Sequence, residues 1–190
     1  MKRLVLIGAL FGGACGATDD RPHTLEYITQ TILAPTCAAA ECHSAFKQEV
    51  GDQFDTVDAT RRSIVANNLV IYPDDMDSPR SSFLIKSLTV GVNSILDSGS
   101  TTTVRMPYDA PMPDADIDLI AAWIAEGAPG AQCVPNAKHQ GCFVTHTDTT
   151  PVMPIYQVVE CVDGEVGNVV QTCAQGQVCL VATGNGQCVQ

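Results

Sequence analysis

The chain has 190 residues, 10 Lys and Arg against 21 Asp and Glu, and a formal net charge of −11. So acidic a chain repels phosphate backbones, whose binding depends on basic side chains neutralising them, and nucleic acid is excluded as a partner. Nine cysteines in this length, unevenly spread, imply an oxidising compartment and more than one use for sulfur.

Met1-Lys2-Arg3 followed by the apolar run Leu4 to Ala14 reads as a secretory signal over residues 1–14. Eleven residues are too few to cross a bilayer, which takes about 20. Loss of Lys2 and Arg3 on cleavage takes the formal charge to about −13. Ala14-Cys15 resembles the lipobox of bacterial lipoproteins, with Gly12 where that pattern prefers Leu or Val. The resemblance implies lipidation of Cys15, residues 15–23 as a tether, and membrane attachment through the lipid alone. Gly16 after Cys15 points to the outer membrane, on the periplasmic or cell-surface side. The alternative is ordinary cleavage nearby, with Cys15 free or paired.

From Thr24 the residues Leu25, Ile28, Ile32 and Leu33 fall on one helical face, and Pro35 is expected to stop the helix. Asp58 is expected to cap a short helix at 58–65, and Ser78-Pro79 to open another with Phe83, Leu84 and Leu88 facing inward. Residues 91–105, rich in Gly, Ser and Thr, read as a loop. The clearest helix has Asp114 as its cap, Asp116 and Asp118 in its first turn, Ile117, Ile120, Ala121 and Ile124 on one face, and Gly127 and Pro129 at its end. About four short helices thus span 24–129. Their few aromatics suggest a thin core that an apolar prosthetic group would fill.

From residue 130 the character changes. Gly-rich turns at Asp163-Gly164, Gly167-Asn168 and Gly184-Asn185-Gly186 separate short β-like runs, and Cys133, Cys142, Cys161, Cys173, Cys179 and Cys188 read as a disulfide framework with 15 possible connectivities. The expected class is therefore mainly α, with a small disulfide-rich β module over 130–190.

The chemical cluster is Cys37-x4-Cys42-His43. Two thiols followed directly by His is the arrangement of c-type haem attachment, here with four residues between the cysteines rather than two. The chain resembles the single-domain cytochrome c-like modules of exported myxobacterial and planctomycete proteins. The resemblance covers residues 28–129 and rests on Ile32-Leu33 before the cluster, on Tyr72-Pro73-Asp74 followed by Ser78 through Leu88, on Met106-Pro107, and on Trp123 through Pro129. It implies one covalent haem c on Cys37 and Cys42, His43 and Met106 as axial ligands, and single-electron exchange with protein redox partners. Met112 competes with Met106 for the distal position. Trp123 is expected to pack between helices, Met76 and Met153 to be filler or exposed, and His23, His139 and His146 to be exposed. The other reading of the cluster is a Cys37–Cys42 disulfide in a haem-free surface lipoprotein with a binding or structural role; zinc would lack a fourth ligand. No nucleophile–base pair, phosphate loop or metalloprotease motif is present, so a carrier is favoured over a catalyst.

Overall fold

A computed structural model describes residues 19–39, 41–48, 51–67, 69–70, 79–90, 92–95, 101–108, 110–146, 153–181 and 186–190. The signal segment, Cys15, Tyr72-Pro73-Asp74 and Met76 lie outside these residues.

The first helix, α1, runs as α over Leu25–Ile28, widens to π geometry over Thr29–Leu33 and returns to α over Ala34–Cys37. Pro35 does not stop it, contrary to expectation. Pro has no N–H for the carbonyl one turn back and its ring crowds that turn, and the π segment just before it supplies a wider one. Thr24 caps the start, its hydroxyl accepting from the Tyr27 amide.

Helix α2 is Val57–Ala66, capped by Thr56 rather than Asp58: the Thr56 hydroxyl accepts from Ala59 N–H, and Asp58 sits in the first turn. Pro79–Ser81 forms one 3-10 turn, and Ser82 then caps α3, Phe83–Thr89. Leu84 and Leu88 are buried as expected, but Phe83 is 47% exposed. Helix α4, Asp114–Ala125, takes Pro113 as its N-cap, one residue before the expected Asp114. It ends in a Schellman turn, in which Gly127 N–H donates to Ile124 O and Ala128 N–H to Trp123 O. The expected apolar face is buried, and Trp123, fully buried, donates from its indole to Pro129 O at 3.1 Å.

The mainly α class is overturned. The segment expected to be a loop holds an antiparallel pair, β1 (Val92–Ile95) with β2 (Thr101–Val104), in register Val92 opposite Val104. Beyond α4 lie β3 (Gln140–His146), β4 (Pro154–Val162) and β5 (Glu165–Thr172) in one antiparallel sheet, and β6 (Val178–Val181) with β7 (Gly186–Val189) in another. Strand and helix thus have comparable shares of the described residues. The strands outgrow the short β-like runs because β4 extends over nine residues, and bulges near Val159 keep it paired with β5.

Three disulfides fix this part of the chain. Cys142–Cys179 joins β3 to β6, Cys173–Cys188 joins the end of β5 to β7, and Cys133–Cys161 joins the segment after α4 to β4. With partners 15 to 37 positions apart in sequence, each restrains the unfolded chain by about 3–4 kcal/mol.

The helical unit and the sheets meet at a tight junction. Arg61 of α2 donates from Nε to Gly130 O at 2.7 Å and from a terminal nitrogen to Asp163 O at 3.1 Å. Gln132 N–H donates to Gly164 O, and Gly130 N–H to Glu165 Oε1. The β4–β5 turn therefore lies directly on the chain leaving α4. At the other end, residues 19–23 are strapped along α4: Arg21 pairs with Asp116 at 2.5 Å and donates to Ala115 O, and His23 Nδ1 lies 2.7 Å from Glu126 Oε1. His23 is thus half-buried and paired rather than simply exposed.

One contiguous apolar cluster fills the helical unit, running from Leu25 and Ile28 through Phe54, Ile85 and Met112 to Trp123 and Ala131.

Candidate functional site

The Cys37-Cys42-His43 cluster sits where α1 ends. Thr36 anchors that end by donating its hydroxyl to Ile32 O. The chain then doubles back: Cys42 N–H donates to Ala39 O at 2.8 Å and His43 N–H to Cys37 O at 3.1 Å. One turn therefore brings the backbones of Cys37, Cys42 and His43 together. The returning loop is held by Phe54 N–H donating to His43 O at 2.8 Å and Ala45 N–H to Asp55 Oδ2 at 3.2 Å. The His43 and Phe54 rings pack with centroids 5.2 Å apart, tilted by 56°.

The two thiols are free and unalike. Cys37 is buried beside the Thr36 hydroxyl, at 3.4 Å, whereas Cys42 is exposed. Burial raises the Cys37 thiol pKa, the Thr36 hydrogen bond partly offsets that, and the neighbouring Cys42 adds to it. The alternative Cys37–Cys42 bridge is therefore not formed here, while all six C-terminal cysteines are paired.

His43 is half-buried and its Nδ1 is buried without a hydrogen-bond partner, as is Asp55 Oδ1. Both candidate distal methionines lie against the core cluster. Met106 is partly buried, follows a backbone bond from its N–H to Ser87 O at 2.7 Å, and precedes Pro107 through a cis peptide; Met112 is 3% exposed. Among the described residues no group of three or more His, Cys, Asp or Glu is set to hold a metal ion. Nor is any helix among them long and apolar enough to cross a membrane.

A second polar group nearby had no sequence signal. Asp52, 6% exposed, accepts from Asn67 Nδ2 at 2.5 Å, and burial raises its pKa against the lowering effects of that bond and of His43. Nothing in Gly51-Asp52 distinguishes it from an ordinary turn aspartate.

The class these features define is a two-part α and β protein, its β part stapled by three disulfides and its helical part bearing an unbridged thiol pair next to a histidine. Comparison with protein-family models, curated proteins and solved structures finds no match.

Proposed function

We propose that the chain is an exported, disulfide-stapled surface protein whose two modules serve binding or structure, tethered by lipid at Cys15. The observation that carries this reading is the set of three disulfides closing the β module. Such bridges persist only where thiols are not kept reduced, and they hold small sheets that cannot bury enough apolar surface alone. The Arg61 junction holds the parts in fixed relation.

A specific observation favours a second reading, a monohaem electron carrier. Of the eight described cysteines, the two left unbridged are Cys37 and Cys42, and His43 beside them has an unpartnered buried ring nitrogen. By donor chemistry these residues fit a c-type haem: Cys37 and Cys42 would hold it through thioethers, His43 would ligate iron, and Met106, less deeply packed than Met112, would be the distal ligand. When bound, the group would supply one-electron redox chemistry. This chain's own part would be to anchor the Cys-His turn through the Cys37 carbonyl and to fix the ring of His43 against Phe54.

A pyridine haemochrome assay on protein expressed with a cytochrome c maturation system separates the two. Colourless protein retaining all three C-terminal disulfides supports the first reading. Covalent haem lost in Cys42→Ala overturns it in favour of the second.

A further inference from the structure

A cleft of about 200 Å3 opens beside the helical core, lined by Asp52, Asn67, Leu69 and Phe83. We propose that it binds a small organic ammonium group, with the Asp52 carboxylate as counter-ion and the Phe83 ring and Leu69 side chain against the ligand's methyl or methylene groups. The cleft is not lined by the Cys37-Cys42-His43 turn, although the His43 charge acts on Asp52.

Four observations converge on a cation of this kind. Asp52 is almost fully buried, its one hydrogen-bond partner among the described residues is the neutral carboxamide of Asn67, and His43, the one charge that acts on it, forms no direct ion pair with it. A carboxylate withdrawn from water without a directly paired counter-charge is a standing cost that a cation would reduce. Asn67 is the C-cap of α2, so the cleft lies at the negative end of a ten-residue helix. Phe83 stays 47% exposed at the start of α3, where its ring can lie against a cation. The acidic balance of the whole chain, −11, raises the local concentration of cations.

The walls are fixed independently of any ligand. Ser63 of α2 accepts from Gln53 N–H at 2.8 Å and donates to Gln53 O, which positions Asp52. Leu69 N–H donates to Ile64 O, and Leu84 N–H to Leu69 O, which sets α3 and its Phe83 against the end of α2. The volume is below the roughly 300–1,000 Å3 of sites for drug-sized molecules. It suits a handful of heavy atoms, such as a free choline-like amine or the end of a lipid headgroup. The apolar walls favour an alkylated ammonium over a hydrated metal ion.

The test is an NMR titration of the folded, oxidised chain with choline chloride, read at the Asn67 and Leu69 amides, beside 3,3-dimethylbutan-1-ol, the neutral isostere of choline. Saturable shifts with choline at millimolar concentration, and none with the alcohol, are expected. Asp52→Asn, which keeps an acceptor for Asn67, is expected to weaken binding about tenfold or more. Phe83→Leu at its half-exposed position is expected to weaken it about two- to fivefold. Co-sedimentation with phosphatidylcholine vesicles identifies the source: binding to vesicles but not to free choline, lost in Asp52→Asn, assigns a lipid headgroup. Equal binding of the alcohol, unchanged binding in a folded Asp52→Asn variant, or no binding to either choline source overturns the proposal.

Discussion

Gly164→Ala tests whether the two parts of the molecule are locked together or merely linked. A Cβ at this position would lie 2.0 Å from Gly130 O and 2.5 Å from Arg61 Nε, and the backbone has φ +86°. Neither obstacle is a flexible side-chain end: one is backbone and the other a guanidinium already bonded to Gly130 O and Asp163 O. The left-handed conformation alone costs a residue with a Cβ about 1–2 kcal/mol. Displacing the turn also breaks the Arg61 bonds, at about 1.5–3 kcal/mol for a bond to a charged group. With one such bond lost the total is about 2.5–5 kcal/mol, or roughly a 10 °C fall in Tm for a chain of this size. Gly176→Ala is the matched control, with φ +82° and nothing within 4 Å of the added atom. It carries only the conformational term, about 1–2 kcal/mol. Thermal unfolding under non-reducing conditions compares them. Equal losses in the two variants would refute a rigid junction.

The remaining predictions follow from single features. Replacing Cys142 and Cys179 together by Ser frees β6 from β3 and is expected to cost about 3–4 kcal/mol in chemical denaturation; a loss under 1 kcal/mol would mean that the bridge is dispensable. Thr60, fully buried, has a hydroxyl with no partner, so Thr60→Val keeps the shape and is expected to stabilise by about 1–2 kcal/mol in the same assay. Burial raises the Asp52 pKa in the folded state, so the folded form binds this proton more tightly than the unfolded one. That contribution therefore favours folding increasingly as pH falls from neutral through the folded pKa towards the unfolded value near 4, and is lost as pH rises. Asp52→Asn is expected to be more stable than the parent at pH 7 and to lack this slope, as measured by denaturation at a series of pH values.

What the sequence made legible is the set of faces that repeat. Leu25, Ile28, Ile32 and Leu33, and Ile117, Ile120 and Ile124, are buried as their spacing requires, because each helix has one side to hide. Caps proved local competitions: Thr56 lies two residues ahead of Asp58 and takes the free amide of Ala59, and Pro113 displaces Asp114. The sheets extend beyond what sequence pattern predicts because several strands carry no burial alternation. Most of β5 is exposed, so what makes it a strand is pairing with β4, a contact that periodicity does not encode. The disulfide pairing is likewise long-range. Asp52 gave no signal because its burial comes from α2 and α3, not from its neighbours in the chain.

The thiol pair offers the last prediction, since its accessibility is asymmetric. In the free state Cys42 is expected to react rapidly with an alkylating reagent in native protein, while Cys37, buried and with a raised thiol pKa, reacts only after unfolding. Peptide mass spectrometry reads each residue separately. A mutual disulfide would block both, and a reductant would restore both; thioether bonds to haem would also block both, but a reductant would restore neither. Rapid labelling of Cys37 in folded protein would refute the burial argument. The reductant step matters most, because it separates two chemistries that look alike to a thiol count. It also does so without relying on colour, which falls in proportion when only part of the protein is loaded with haem.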